Sequence, residues 1–352
     1  MAAQAAGATL ACYPIAAKGP GGEALSIDVA CLGEAFASRT LVLSSGLHGV
    51  EGYAGSAIQT AWLKSLTDAK ADGPPPGVRI VLIHALNPYG LAWRRRVNEN
   101  NVDLNRNFLL PGETYAGAPA EVRTLDGFIN PGTPPDPPWL AWRYWPQAAF
   151  VIARYGMATL RAALTQGQYD FPDGLFFGGR APEESTRIVR SHWMSWTGDA
   201  AFVLHLDLHT GLGPRGRCTL LSGGAPGQAQ WLAAHFPGRH VEPSDTGINT
   251  AVRGGMGTAL ASMMAAAKRH YVFATIEFGT CAGVHALRAL REENRAHRCP
   301  ATTEALHERA KQRLMNCFSP AIVAWQTQVA AQGAALCAQA LAVSTQEFAR
   351  SH

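Results

Sequence analysis

Several features that mark large classes of protein are missing from this sequence. It has no run of about 18 apolar residues, so nothing predicts a helix that crosses a membrane. The first residues lack the basic segment that precedes the apolar core of a secretory signal, and we expect a cytoplasmic protein. The seven cysteines are odd in number and include no C-x-x-C pair, which favours reduced, individually buried thiols over a disulfide framework.

A strong excess of charge is also missing. The 30 basic and 26 acidic residues give a net charge of +4 and are spread along the chain, apart from the arginine triplet 94–96 and an arginine-rich stretch at 288–298. A nucleic-acid-binding domain normally shows a clustered basic face and a higher isoelectric point. We therefore expect no nucleic-acid partner, and the missing apolar run gives no reason to expect a membrane partner.

Four apolar segments rich in β-branched residues are present, and each ends in glycine or polar residues. They are 40–46, 78–88, 201–213 and 271–280. Near-continuous apolar strands bounded by turn signals are typical of a sheet buried on both faces. The expected fold is α/β, a three-layer αβα sandwich around a mixed, mostly parallel sheet. In such folds functional groups collect at the carboxyl ends of the strands.

Between the second and third of these segments lies a block with a different composition. Its stretch 131–139 is proline-rich and cannot form a regular helix or a central strand, because proline lacks the backbone donor and fixes φ. We interpret residues 109–199 as an insert or lid that borders the active site of a single catalytic domain over 1–352. Helices are expected at the C-terminus within 301–345.

The segment after the first strand contains His48 and Glu51, three residues apart at a strand end and just before a helix. In a tight turn these side chains can meet one cation, and imidazole nitrogen with carboxylate oxygen suits zinc. An H-x-x-E pair alone is weak, because a histidine and a glutamate in a polar loop give the same pattern.

Two further strand ends carry candidate groups. His209 closes the third strand, where His205 shares its face and is a weaker candidate, and a lone strand histidine is more often part of the core. Glu277 closes the fourth strand, where partial desolvation would raise its pKa toward the range of a general base. A glutamate that caps the following turn is an equally good interpretation of that position.

The stretch 87–108, NPYGLAWRRRVNENNVDLNRNF, is dense in arginine and asparagine. Asparagine is a poor helix former and no Glu–Lys pairing is present, so this is not a solvated helix face. Guanidinium groups beside amides suit a ligand that carries a carboxylate.

Together, the H-x-x-E pair, the NP-x-G…R…VDLNRNF block, the strand-end histidine and the EFG glutamate occur in an order that resembles one family. It is the zinc metallocarboxypeptidases of the carboxypeptidase A type, with their succinylglutamate desuccinylase and aspartoacylase relatives. The resemblance covers roughly 41–108 and 202–280, and it implies a carboxypeptidase-like fold. By this resemblance, His48, Glu51 and His209 would bind one Zn²⁺ per chain, and Asp103 would orient the first histidine.

The same resemblance assigns the substrate groups. Asn105 and Arg106 would bind the substrate's terminal carboxylate. Arg96 would stabilise the oxyanion, with Arg95 as a possible substitute from the same triplet. Glu277 would act as general base and proton shuttle in a metal-assisted hydrolysis.

Three functions remain open at this stage. The first is a carboxypeptidase-like hydrolase that acts on a small peptide, and it leads. The second is a deacylase of N-acyl amino acids or a small-molecule amidase, which would use the same groups. The third, from another class, is a noncatalytic metal-binding scaffold. A lid over the site favours small substrates. The sequence leaves the oligomeric state, the natural substrate and the metal used in the cell undetermined.

Overall fold

The structure is a computed structural model that describes residues 2–69, 73–223, 225–243 and 252–346. Over these ranges the strands are β1 (Thr9–Lys18), β2 (Ala24–Leu32), β3 (Arg39–Ser45), β4 (Val78–His84), β5 (Phe202–Gly211), β6 (Cys218–Ser222), β7 (His240–Glu242) and β8 (His270–Gly279). The helices are α1 (Ala2–Ala5), α2 (Gly52–Asp68), α3 (Pro88–Ala92), α4 (Ala120–Ile129), α5 (Tyr144–Thr165), α6 (Glu184–Thr197), α7 (Gln228–His235), α8 (Met256–Ala266), α9 (Gly283–Arg298), α10 (Glu304–Phe318) and α11 (Val323–Ser344). Short 3₁₀ turns occupy Gly49–Glu51, Leu104–Arg106 and Pro138–Arg143.

All the described strands belong to one sheet, in the order β1-β2-β4-β3-β5-β8-β6-β7. Strand β3 pairs in parallel with β4 and β5, and β5 pairs in parallel with β8. The outer pairings β1–β2, β2–β4 and β6–β8 are antiparallel, and β6–β7 is parallel. The carboxyl ends of the four central strands therefore meet at one edge of the sheet, where the predicted site residues lie.

Helices cover both faces of the sheet. On one face, a core cluster includes Trp62 of α2, Leu232 of α7 and Leu336 of α11. On the other face, a second cluster includes Trp193 of α6 and Leu260 of α8. Alternate strand residues point into each cluster, as the pleat requires. The predicted three-layer αβα sandwich with a mixed, mostly parallel sheet is confirmed.

A third apolar cluster joins α4, α5, α9 and α10, and it also contains Val50 from the turn beside Glu51. Two helices of the predicted insert, α4 and α5, belong to this cluster. Helix α6 does not, because its Val189, Trp193 and Trp196 pack against the sheet. Within the range predicted as an insert, α6 therefore packs as part of a layer of the sandwich.

The four predicted strand segments correspond to β3, β4, β5 and β8, and the predicted C-terminal helices correspond to α10 and α11. Sequence reasoning missed β1, which is an edge strand with mostly exposed side chains and so has no continuous apolar run. It also missed α9, whose later residues are charged yet buried. The expectation that every cysteine is buried is wrong for Cys12, which is exposed.

None of the described helices combines the length and the apolar character needed to cross a bilayer.

Candidate metal centre

The first two candidate ligands lie on a turn that is fixed by neighbouring backbone. After β3 the chain enters the 3₁₀ turn Gly49–Glu51, and α2 follows at once. The amides of Gly49 and Val50 donate to the carbonyls of Arg96 and Arg95, at 3.2 and 2.9 Å. A Cβ on Gly49 would lie 1.9 Å from the carbonyl carbon of Gly90, so only glycine allows this approach. The turn that carries His48 and Glu51 is thus packed tightly against the arginine-rich segment.

The third ligand candidate and the base candidate lie on adjacent strands. His209 of β5 and Glu277 of β8 are direct partners in the parallel register. Partners in a parallel pair point to the same face, here the face that carries the second core cluster. Two groups far apart in sequence are therefore neighbours at the carboxyl edge of the sheet.

Three candidate ligands converge in the structure. One donor atom each from His48, Glu51 and His209 lies within 4.8 Å of the other two, and all three residues are buried. The Nδ1 atoms of His48 and His209 lie 3.0 and 2.9 Å from the two oxygens of Glu51. Within the described ranges this is the one group of three or more His, Cys, Asp or Glu residues that could hold a metal ion. Two imidazole nitrogens and one carboxylate are a donor set that fits zinc.

The outward nitrogen of each histidine meets its own carboxylate. His48 Nε2 lies 3.2 Å from Asp103 Oδ1, and His209 Nε2 lies 2.6 Å from Asp207 Oδ2. For His209, a proton held on Nε2 by Asp207 leaves Nδ1 with a lone pair for a metal, the usual outer arrangement of a metal-binding histidine. This arrangement is the second reason that the residues fit a metal ion.

Asp207 is part of a buried hydrogen-bond chain that sequence reasoning did not find. Ser44 Oγ donates to Asp207 Oδ1 at 2.5 Å and lies 2.7 Å from His205 Nε2, while His205 Nδ1 lies 2.7 Å from the Tyr271 hydroxyl. His205, the weaker ligand candidate, therefore belongs to this chain and does not join the metal-binding group. The alternation His-Leu-Asp-Leu-His on β5 was the available signal, since it places His205, Asp207 and His209 on one face.

Charges within this cluster compensate one another. Burial alone would raise the pKa of Asp103, but Arg96 and His48 hold that pKa well below its ordinary value. Burial likewise opposes the charged form of His209, yet Asp207 and Glu51 raise the His209 pKa well above its ordinary value. Buried charges persist in proteins when they are paired in this way. The charged forms of Asp103 and His209 thus depend on their neighbours.

Glu277 has a different environment. It is buried, and its Oε1 accepts a hydrogen bond from the Leu212 amide at 2.7 Å. Burial, with a further contribution from the negative charge of Glu51, raises the pKa of Glu277 to about 8. A carboxyl group whose pKa lies near neutrality can both take up and release a proton under physiological conditions.

Arg96 lies beside the metal-binding group. Its Nε donates to Asp103 Oδ2 at 3.0 Å, its Nη1 donates to Glu51 Oε1 at 3.3 Å, and its Nη2 lies 2.7 Å from His48 Nε2. The side chain also lines a cavity next to the group. Arg96 therefore donates hydrogen bonds to the carboxylates of Asp103 and Glu51 and also faces the cavity, where it could contact a bound molecule.

Arg106 lines the same cavity. It is buried, its Nη1 donates to the Asn105 carbonyl at 2.9 Å, and its Nε has no hydrogen-bond partner among the described residues. The neighbouring Asn105 accepts a hydrogen bond from the Met256 amide through Oδ1 at 3.1 Å, so recognition of a ligand would fall to its amide nitrogen. This buried guanidinium group therefore lacks a full set of acceptors.

Arg95 lies elsewhere, which corrects its prediction as a substitute for Arg96. It is fully buried, and its Nε donates to Glu293 Oε1 at 2.8 Å. Lys311 donates to the same oxygen at 3.2 Å. The two arginines lie in the irregular segment after α3, where their side chains point to different partners, so only Arg96 faces the site.

The fold and the donor set define an α/β protein with a candidate metal centre at the carboxyl edge of its sheet. Over residues 1–332 the chain matches the family described as "Protein of unknown function (DUF2817)", and it belongs to that family. No curated protein matches the chain.

Solved structures similar to this one include carboxypeptidase A from Helicoverpa armigera, at 15% identity and a TM-score of 0.42 over 94% of this chain and 69% of that one. Murein-tripeptide amidase MpaA from Escherichia coli O157 has 16% identity and a TM-score of 0.38, over 86% of this chain and 91% of that one. A protein from Shewanella amazonensis SB2B assigned to the succinylglutamate desuccinylase/aspartoacylase family has 17% identity and a TM-score of 0.39, over 82% and 72%. These are the kinds of protein that the motifs resemble. At such identities and TM-scores, metal and substrate have to be inferred from this chain's own side chains.

Proposed function

We propose that this protein is a zinc-dependent hydrolase that cleaves an amide bond close to a free carboxylate in a peptide or an acylated amino acid. The observation that carries the proposal is the convergence of His48, Glu51 and His209, with donor atoms within 4.8 Å of one another and Glu277 on the adjacent strand. Metal ligands beside a carboxyl group of raised pKa form a combination suited to hydrolysis.

His48 and His209, through their Nδ1 atoms, and Glu51 would hold the ion. Zinc bound there would supply Lewis acidity toward the amide carbonyl and toward a water molecule. Asp207 keeps the proton of the His209 imidazole on Nε2, so that its Nδ1 faces the ion. Ligand orientation is therefore set by contacts that exist in the protein alone.

The chain's own groups account for the proton transfers. Glu277 takes a proton from the attacking water and returns it to the departing amine, which needs a carboxyl group that changes charge near neutral pH. Arg96, held by Asp103, stabilises the negative charge that develops on the amide oxygen.

Arg106 accounts for the carboxylate in the proposed substrate. The unpaired Nε and the burial of this side chain leave a positive charge that lacks a full set of acceptors. A carboxylate would supply them, and charge-assisted hydrogen bonds of this kind are stronger than neutral ones. The cavity that Arg106 lines has a volume of about 580 Å³, which suits a small molecule or the end of a peptide.

The test is a panel of substrates with the zinc-loaded protein. One set contains short peptides with a free C-terminus, a second contains N-acyl amino acids, and a third contains the same compounds with the carboxylate converted to an amide. Released amine is quantified. We expect hydrolysis in the first set for a peptidase and in the second set for a deacylase. In the third set we expect the rate of hydrolysis to fall by at least about 100-fold, because the buried cationic donors are left unpaired.

The Glu277→Gln variant tests the proton transfer. We expect it to retain zinc by metal analysis and to lose turnover by about 100-fold or more. Glu308→Gln is the matched control, since it makes the same change at an exposed ion pair with Arg94. Near-normal turnover in Glu277→Gln would overturn the assignment of the base. If the fully zinc-loaded protein hydrolysed none of the compounds, the hydrolase proposal would be refuted, and the protein would be a noncatalytic metal-binding protein.

A further inference from the structure

Two of the cysteines lie next to each other in the fold, although 36 positions separate them in the chain. Cys281 comes directly before the N-cap residue of α9, and Cys317 is the last residue but one of α10. The Cys281 thiol lies 3.7 Å from the Cys317 carbonyl oxygen, and the two thiols are hydrogen-bonded to each other. We call these two residues the thiol pair.

Hydrogen bonds fix the backbone on both sides of the thiol pair. The Thr280 hydroxyl donates to the carbonyls of Cys317 and Gly211, at 2.5 and 2.9 Å. The Thr210 hydroxyl donates to the Phe318 carbonyl at 2.5 Å. The end of α10 is thus tied to the ends of β5 and β8, and the two sulfur atoms are held together by the fold.

The thiol pair also lies close to the backbone that positions the proposed base. The Gly211 carbonyl accepts a hydrogen bond from the Thr280 amide at 3.1 Å, and the next amide, that of Leu212, donates to Glu277 at 2.7 Å. The proposed hydrolysis uses neither thiol. A covalent bond between the two sulfur atoms would therefore cross-link the protein beside Glu277 without consuming a group of the metal centre.

The surroundings of Cys281 favour a thiolate. Arg215 donates to the Thr280 carbonyl at 3.1 Å, and the positive end of the α9 dipole faces the same place. The hydrogen bond with the Cys317 thiol, together with Thr280 and Arg215, lowers the pKa of Cys281 to about 7, against the effect of burial. The same hydrogen bond and burial raise the pKa of Cys317. At neutral pH a thiolate therefore faces a thiol.

Other cysteines lack this combination of access and charge. Cys218 and Cys337 are buried, and burial raises the pKa of each to about 12. Cys12 is exposed, but Asp28 raises its pKa. Cys281 is partly exposed, so a small reagent can reach it.

We propose that the thiol pair is a reversible oxidation site, at which a peroxide converts Cys281 and Cys317 into a disulfide. The Cys281 thiolate attacks one peroxide oxygen, the O–O bond breaks, and the departing hydroxide takes a proton to become water, which leaves Cys281 as a sulfenic acid. The Cys317 sulfur then attacks the Cys281 sulfur, and the sulfenic hydroxyl leaves as water with the Cys317 proton. In total the two thiols lose two electrons and two protons, and one hydrogen peroxide becomes two waters. A dithiol restores the pair by exchange. None of these steps depends on the proposed hydrolase function.

The first experiment measures the reactivity of Cys281 in the reduced full-length protein. Each cysteine is followed by mass spectrometry during alkylation with iodoacetamide. At pH 7 we expect Cys281 to react at least about threefold faster than Cys12, although Cys12 is more exposed, because about half of Cys281 is thiolate. Cys317→Ser keeps a donor for the thiolate and should leave this rate within about twofold, whereas Cys317→Ala should slow it by about threefold. A Cys12 rate equal to or above that of Cys281 would contradict the proposal.

The second experiment treats the reduced protein with one equivalent of hydrogen peroxide and maps the product by peptide mass spectrometry. We expect a cross-link between Cys281 and Cys317 within one molecule, which dithiothreitol reverses. Cys317→Ser should abolish it. Cys337→Ala is the matched control and should leave its yield unchanged, since that thiol is buried and has a raised pKa. Thiols that both stay free after treatment, or a yield that Cys317→Ser does not change, would overturn the proposal.

The third experiment asks whether the disulfide forms in the native fold. A cross-link that closes a loop of 36 positions should raise Tm by about 5 °C in the oxidised protein. The same treatment of Cys317→Ser should leave Tm unchanged. A cross-linked protein that melts no higher than the reduced protein would show that the bond forms only outside the native structure, and the assignment of the site would fail.

Discussion

Asp207 gives the sharpest test of the metal centre, because it touches one ligand and no substrate group. It is 1% exposed, and its Oδ2 lies 2.6 Å from His209 Nε2. Burial alone would raise its pKa, but His209 and the hydrogen bond from Ser44 hold that pKa below the ordinary value, so the group is a carboxylate. Asp207→Asn keeps the shape of the side chain and removes the charge.

The expected magnitude follows from what this carboxylate does. Replacing the outer partner of a metal-binding histidine costs about 10- to 100-fold in metal affinity, or roughly 1.4–2.7 kcal/mol. A buried hydrogen bond to a charged group is worth about 1.5–3 kcal/mol, which agrees with the upper part of that range. We expect the loss to fall near the upper end, since the contact is short and excluded from water.

Zinc affinity is measured by competition with a chelator of known affinity at fixed pH. Ser44→Ala, which removes one donor from Asp207, should weaken zinc binding by less than tenfold. Ser45→Ala is the matched control, because Ser45 lies on the opposite face of β3 and its hydroxyl contacts His84 at 2.8 Å. An affinity of Asp207→Asn within about threefold of the unmodified protein would refute the assignment of Asp207 as the residue that orients His209.

Two further predictions concern stability. Burial alone would raise the pKa of Glu293, but Arg95 and Lys311 lower that pKa in the folded protein. The ionised Glu293 therefore stabilises the fold fully above pH 4.5, the pKa of the unfolded chain. This stabilisation is lost as the pH falls through the lower pKa of the folded protein. Glu293→Gln should therefore lower the free energy of unfolding by about 3 kcal/mol at pH 7. In urea unfolding below about pH 4.5, the stability of the variant should depend less on pH than that of the unmodified protein, and an unchanged dependence would contradict this. Gly156→Ala should cost about 1–2 kcal/mol because of its positive φ, although nothing lies within 4 Å of the added Cβ. Gly127→Ala, in the regular helix α4, should instead stabilise the protein by about 0.5–1 kcal/mol. A change of the same sign in the thermal unfolding of both variants would be inconsistent with the non-helical backbone of Gly156 within α5.

The central strands could be predicted because they are buried on both faces. Near-continuous apolar runs form β3, β4, β5 and β8. Few structures other than a doubly covered sheet produce such runs. Edge strands such as β1 have one solvated side and lose that pattern. Helix α9 was hidden for the opposite reason. Its residues from Arg291 to Arg295 are buried although they are charged or polar, since other parts of the chain supply their partners.

For the site, the ordered motifs indicated which residue types would meet, and the register of β5 and β8 brought His209 next to Glu277. Sequence could not distinguish Arg95 from Arg96. One arginine enters a buried ion pair with Glu293 and the other faces the metal-binding group, and only the path of the chain through that segment decides between them.

The sequence by itself determined the layered α/β fold, the strand ends that carry polar groups and the set of candidate ligands, because burial and strand periodicity are local properties of the chain. Tertiary structure alone decided that Asp207 supports His209, that His205 does not bind with the ligands, and that Arg96 instead of Arg95 faces the metal-binding group. Those facts depend on distances between segments far apart along the chain, and no local pattern of residues encodes such distances.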